Sequence, residues 1–203
     1  VLYNKLQKFA DLVFYVESDE DTKKLIDLAK KYDVCLVPFG GGTNVTNALK
    51  LPKQESRMIV SVDTRRLNKI ESMDKENLLV TVQAGITGKS LEEQLQKEGY
   101  TVGHEPDSIE LSTLGGWIST NAAGMKKNRY GNIEDIVQNV TMITPNGIIN
   151  QLKPLVRSSI GIKTQNLLFG SEGNIGIITK ATLRMHKLPE ASDYESVVLK
   201  DWD

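Results

Sequence analysis

The chain of 203 residues has one cysteine, two histidines and no surplus of either charge, and each scarcity removes a class of function. Cys35 cannot close an internal disulfide on its own, and its apolar neighbours Val34 and Leu36 point to a buried small hydrophobe rather than a nucleophile. No metal-ligand spacing occurs anywhere, so no metal is expected. Lys plus Arg at 25 against Asp plus Glu at 26 leaves no overall field to recruit nucleic acid. No apolar run approaches the ~20 residues that span a bilayer, and there is no signal-peptide pattern, internal repeat, low-complexity tract or heptad. The chain opens on Val1 and ends on Asp201-Trp202-Asp203 without a terminating pattern, so it reads as a piece of a longer protein. A composition of 39% hydrophobic and 25% charged residues is that of globular material, enough for one large domain or two small lobes.

Glycine, by contrast, is concentrated where it matters. The run PFGGGTNVT at 38–46 follows the apolar stretch Val34-Cys35-Leu36-Val37. Without a Cβ, such a loop can turn successive N–H groups toward one anion, with Thr43, Asn44 and Thr46 adding side-chain donors. It has neither the GxGxxG spacing of a Rossmann turn nor the GK[ST] of a Walker loop. Small residues recur in PDSIELSTLGGWISTNAAGMKKNRYGNIED at 106–135 and in GSEGNIGIITKATL at 170–183. Three such loops suit one long ligand touched at several places, and an extended dinucleotide meets that demand better than a compact metabolite.

The surrounding pattern is α+β. A β-prone run at 12–16 precedes Ser18-Asp19-Glu20, a capping residue with an acidic first turn, and a helix whose stripe is Leu25, Leu28, Ala29 and Tyr32. The runs at 34–40 and 57–63 complete a small parallel β-α-β unit with the glycine loop at the carboxyl end of its second strand, where ligands bind in such units. From residue 68 the pattern is antiparallel: LNKIESMD and NLLVTVQAG form a hairpin, Pro145-Asn146-Gly147 turns a second one, and IGIITKATLRMHKL favours a long strand. A helix from Ser90 to Gly99 with Leu91 and Leu95 on one face interrupts the strands. The expected division is a first lobe at 1–65 and a second at 66–203.

A parallel unit with a glycine turn, joined to an antiparallel lobe carrying LGGWISTNAAG and GSEGNIGIIT, resembles the two-lobed FAD-binding domain of the vanillyl-alcohol oxidase and p-cresol methylhydroxylase superfamily over nearly the whole chain. Within it, GHEPDSIELST and GMKKNRYGNIED are most similar to the alkyldihydroxyacetonephosphate synthase family. The resemblance implies a first set of FAD contacts at Pro38, Phe39, Gly40, Gly41, Gly42, Thr43, Asn44, Val45 and Thr46, which wrap the pyrophosphate. A second set is Pro106, Asp107, Ser108, Ile109, Glu110, Leu111, Ser112 and Thr113, with Gly116, Thr120, Asn121, Ala122 and Ala123. Glu172, Gly173, Asn174, Ile175, Gly176, Ile177 and Ile178 close over the dinucleotide. Family members that attach flavin covalently through the pyrophosphate loop use a histidine there. This chain has none in that place, so FAD is expected to be non-covalent. Two departures stand out: Asn44 where the family often has Ser, and Thr120-Asn121-Ala122-Ala123, which is nearer the lactate and glycolate dehydrogenase pattern.

Other polar groups have plainer readings. His186 is read as a partly exposed structural residue. For His104 the reading is a hydrogen-bonded structural histidine, with an orienting or proton-handling role as the alternative. Lys126, Lys127 and Arg129 form either a phosphate clamp or a solvated turn. Trp117 and Tyr130 are lobe-packing core or walls of the flavin ring, and Glu92-Glu93 are solvent charges on an outer helix face.

The resemblance further implies an exchange reaction, in which a fatty alcohol replaces the acyl group of acyl-dihydroxyacetone phosphate with no net redox change. The flavin would carry the chemistry while the protein supplies position and electrostatics. The family's tyrosine acid/base and histidine-rich loop lie beyond Asp203, so no catalytic residue is expected within the segment. A homodimer, peripheral membrane association and a peroxisomal location are implied in the same way. The alternatives are an FAD-dependent 2-hydroxy-acid dehydrogenase of the lactate or glycolate type, and a flavin-binding module without chemistry of its own.

Overall fold

The computed structural model of the chain describes residues 8–150, 159, 161, 163–193 and 195–201. The first lobe is built on three parallel strands: β1 (Leu12–Tyr15), β2 (Cys35–Phe39) and β3 (Ile59–Asp63), with β3 in the centre. Helix α1 (Asp19–Tyr32) links β1 to β2. Its start is fixed by Ser18, whose Oγ accepts from the Asp21 N–H at 3.0 Å, and by three acidic residues in the first turn that complement the helix dipole. It ends at Asp33, which takes a left-handed conformation with φ 53°. The buried stripe is Thr22, Ile26 and Ala29. Leu28 and Tyr32 of the predicted stripe are exposed, because the face that meets the second lobe is turned toward Ile26. Cys35 is half-buried, not buried as expected, since β2 is an edge strand.

The second lobe is a five-stranded antiparallel sheet in the order β4-β5-β9-β7-β8, from β4 (Ile70–Asp74), β5 (Leu79–Gln83), β7 (Val137–Thr144), β8 (Gly147–Ile149) and β9 (Ile177–Arg184). Between β5 and β7 the chain adds α2 (Gly88–Lys97), β6 (Tyr100–Thr101), α3 (Leu114–Thr120), α4 (Lys127–Tyr130) and α5 (Ile133–Ile136). The short β10 (His186–Lys187) pairs with β6. The main core joins sheet to helices through Val80, Val82, Leu91, Leu95, Trp117, Ile118, Ile133 and Met142. A smaller core joins the lobes: Ile26, Val60 and Val62 pack with Ile143 of β7 and Ile177 of β9. Burial of this apolar surface at about 25 cal/mol per Å² is what holds the lobes in register.

Candidate functional site

The lobes enclose a cavity of about 370 Å³, within the usual range for small-molecule sites. Its walls come from the three predicted loops. All of Pro38 through Thr46 line it, as do Pro106, Ser108, Ser112, Thr113, Gly116, Thr120 through Ala123, Glu172, Gly173, Gly176, Ile177 and Ile178. Six predicted contacts do not. Asp107, Glu110 and Leu111 are exposed, and Ile109 packs toward Gly88. Asn174 donates its side-chain amide to the Ser171 carbonyl at 2.9 Å, and Ile175 is exposed beside it. Outside the predicted contact sets the lining also holds Ala48, Leu49, Thr64, Gly115, Trp117 and Ser119, of which sequence reasoning singled out Trp117 alone, as core or ring wall. The last three lie on α3, whose Gly-Gly start concealed the helix.

The glycine loop leaves β2 at the carboxyl end of the parallel sheet, as its position in the sequence predicts. Its glycines divide the work differently from the expectation. Only Gly42 has a positive φ, 67°. Gly40 and Gly41 are needed by the protein itself: a Cβ on Gly40 would lie 2.3 Å from Thr113 Oγ1, and one on Gly41 2.0 Å from the Leu111 carbonyl oxygen. The loop from the first lobe is thus seated directly on the 111–113 segment of the second. Meanwhile the N–H groups of Gly40 through Thr46 donate to no other described residue. The loop is half-buried to exposed, so these donors face the cavity or solvent and are free to meet an anionic ligand.

On the facing wall Thr113 starts α3 and its Oγ1 accepts from the Gly116 N–H at 3.4 Å. Gly115 lets the helix run against Ala84, where its N–H reaches the carbonyl at 2.7 Å. Trp117 is 2% exposed and belongs to both core and cavity wall, with its indole N–H donated to Ser112 Oγ at 2.8 Å. Tyr130 does not reach the cavity; its ring covers Gly103 and meets His186 edge-on at 5.1 Å.

The cavity's charge is unusual for a phosphate site. Glu172 is the one ionisable residue among the described residues lining it, and it sits in a left-handed turn with φ 45°, a conformation that costs a non-glycine residue of order 1 kcal/mol or more. With no cation among the described lining residues, an anion there depends on the open N–H groups and on the hydroxyls of Thr43, Thr46, Ser108 and Thr113, since the Thr120 hydroxyl is already donated to the Gly116 carbonyl at 2.9 Å. Lys126 is tied to Glu105 at 2.6 Å, Lys127 and Arg129 are exposed, and none of the three lines the cavity.

One acid/base group stands just behind the wall, and a second is half-buried elsewhere in the same lobe. His104 is 1% exposed, its ring edge-on to Trp117 at 4.8 Å, and neither ring nitrogen has a hydrogen-bond partner among the described residues. The expected hydrogen-bonded histidine is therefore not found; burial instead lowers its pKa to about 4 and keeps the ring neutral. Glu92 corrects the expectation of a solvent charge. It is half-buried and accepts from Thr101 Oγ1 at 2.7 Å and the Val102 N–H at 3.2 Å, while burial raises its pKa against those bonds. His186 is partly exposed, as read, and its pKa is lowered by burial and then by Arg184 and Arg129.

Residues 10–153 match a family described as the FAD binding domain. The chain belongs to the FAD-binding domain family. Its cofactor is FAD, and the cavity fits the group: open N–H donors for a pyrophosphate, hydroxyls along the walls, and glycines where a side chain would obstruct. The chain is 44% identical over 199 residues to an alkyldihydroxyacetonephosphate synthase of Caenorhabditis elegans, covering 98% of this chain and 33% of the relative. It is 34% identical over 177 residues to a mitochondrial D-lactate dehydrogenase (cytochrome) of Kluyveromyces lactis, covering 87% of this chain and 30% of the relative. A solved structure of alkyldihydroxyacetonephosphate synthase superposes with a TM-score of 0.82 at 40% identity, over 88% of this chain and 32% of that one. The chain spans about a third of the length of the curated relatives it matches.

Proposed function

We propose that the protein carrying this chain is an FAD-dependent alkylglycerone-phosphate synthase, a transferase of ether-lipid synthesis that exchanges the acyl group of acyl-dihydroxyacetone phosphate for a fatty alcohol. The observation that carries the reading is the 44% identity to a synthase across nearly the whole chain, against 34% to the dehydrogenase. When bound, FAD supplies the electron-rich centre for such an exchange. This chain's residues do the holding: the 38–46 loop presents N–H groups to the pyrophosphate, the 106–123 wall lies against the rest of the dinucleotide with Trp117 behind it, and the 172–178 turn closes the third side. None of these is assigned an acid/base role. Among the described residues no histidine, cysteine or tyrosine lines the cavity, which supports non-covalent FAD. A peroxisomal location, peripheral membrane association and a homodimer belong to the same proposal. Among the described residues no helix is long and apolar enough to cross a membrane.

The test uses the full-length protein with acyl-dihydroxyacetone phosphate and a labelled fatty alcohol. Labelled alkyl ether and free fatty acid should form without any external electron acceptor. Rapid bleaching of the flavin by lactate or glycolate, with recolouring by an acceptor dye and no ether, would establish the dehydrogenase reading instead.

A further inference from the structure

Lys180 lies on β9, two residues beyond Ile178 of the cavity wall, and its ammonium is shared between two carboxylates from different lobes. Nζ is 3.0 Å from Asp19 Oδ2, in the first turn of α1, and 3.3 Å from Glu71 Oε2, on β4. Glu71 and Lys180 belong to the antiparallel sheet, whereas Asp19 belongs to the helix that runs into β2 and then into the glycine loop. The Asp19 contact therefore crosses the boundary between the two walls of the cavity. At the other end of α1, Lys30 Nζ donates to the Pro145 carbonyl at 2.6 Å, so the helix is tied to the second lobe at both ends. Between the ties, Ile26 packs with Ile143 and Ile177, and Ile177 itself lines the cavity.

The spacing that these ties control is narrow. Gly40 and Gly41 already lie so close to Thr113 and Leu111 that no Cβ fits between them, and Gly173 has its Cβ position 3.1 Å from the Pro38 ring. A small slide of α1 along β9 would withdraw the loop from both of these neighbours. We propose that Lys180 is a positioning residue for the cofactor: by joining Asp19 to Glu71 it sets the separation of the two walls that hold FAD. This rests on the reading that the cavity takes FAD. Lys180 is not among the residues lining the cavity, and it acts on the loop through Asp19 of α1. The shared apolar core and the Lys30 tie remain when Lys180 is changed, so the lobes stay together and the loss is one of spacing.

The experiment titrates apo-protein with FAD, following flavin fluorescence, and measures the dissociation rate well below the melting temperature. A half-exposed ion pair is worth up to ~1 kcal/mol, so Lys180→Met should weaken FAD binding measurably, by at most about fivefold, chiefly through faster dissociation. Lys180→Arg should restore wild-type retention, Asp19→Asn should reproduce the loss, and the Lys180→Met/Asp19→Asn double variant should lose no more than either alone. Unchanged FAD dissociation in a folded Lys180→Met protein overturns the inference, even if its melting temperature falls. So does a loss that Asp19→Asn does not share, which also decides the matter should Lys180→Met not fold. Wild-type protein that takes up no FAD overturns the cofactor reading on which this one stands.

Discussion

Replacing Gly41 with alanine adds one methyl group and tests whether the glycine loop is seated on the second lobe as described. The new Cβ would lie 2.0 Å from the Leu111 carbonyl oxygen, 2.7 Å from its carbon and 2.9 Å from Ser112 Cα, all of them backbone atoms. Reaching even the 3.0 Å limit of real contacts requires the loop and the 111–112 segment to part by about 1 Å. Overpacking of this kind costs ~1–3 kcal/mol, and if it falls on the bound state FAD affinity drops by roughly 5- to 150-fold. Two comparisons isolate the cause. Gly42→Ala meets only the outer end of the Phe39 ring, at 3.0 Å, so its cost is mainly that of φ 67°, about 1 kcal/mol. Gly99→Ala has a similar φ of 84° but open space around it and no part in the cavity; it should lower stability slightly and leave FAD affinity alone. Fluorescence titration of FAD, with far-UV circular dichroism to confirm folding, decides the question. A folded Gly41→Ala protein with wild-type affinity would refute the contact between loop and second lobe as the basis of the site.

His104 should make the protein acid-sensitive. Burial lowers its pKa from 6.5 to about 4, so the unfolded chain takes up a proton first as the pH falls. Stability is complete above about 6.5, erodes below it, and is down by about 3 kcal/mol near pH 4, at 1.36 kcal/mol per pH unit. His104→Phe should flatten that dependence, and an identical pH profile of the melting temperature in the two proteins would contradict it. Glu172→Gln removes the one carboxylate among the described lining residues and should tighten binding of the dianionic FAD several-fold. Weaker binding in the same titration would show that the carboxylate is a ligand for the cofactor and not a repulsive charge.

The sequence carried the architecture where local signals were strong. The parallel unit, the β4–β5 hairpin, the turn at Pro145-Asn146-Gly147 and the long strand β9 all form where periodicity and turn chemistry put them. The three small-residue loops do converge on one cavity. Helix α3 was not readable because two glycines in LGGWIST argue against a helix. It forms there because Thr113 caps it and Gly115 permits close approach to Ala84, a tertiary gain that propensity does not contain. The roles of Gly40 and Gly41 were likewise hidden, since only the folded chain shows that Leu111 and Thr113 lie against them. Glu92 looked like a surface charge because its donors, Thr101 of β6 and the following Val102, come from beyond the end of its helix. His104 gave no sign of burial without partners, a property of the packing around Trp117 and not of its neighbours in sequence.

The central claim is that the chain holds FAD, without a covalent bond, in the cavity between its lobes. Acid precipitation of the purified, dialysed protein, with the visible flavin spectrum read in the supernatant and the pellet, tests it most directly. A yellow protein that releases close to one FAD per chain into the supernatant is the expected result. Flavin retained by the pellet, or a colourless protein that cannot be reconstituted with FAD, would contradict it.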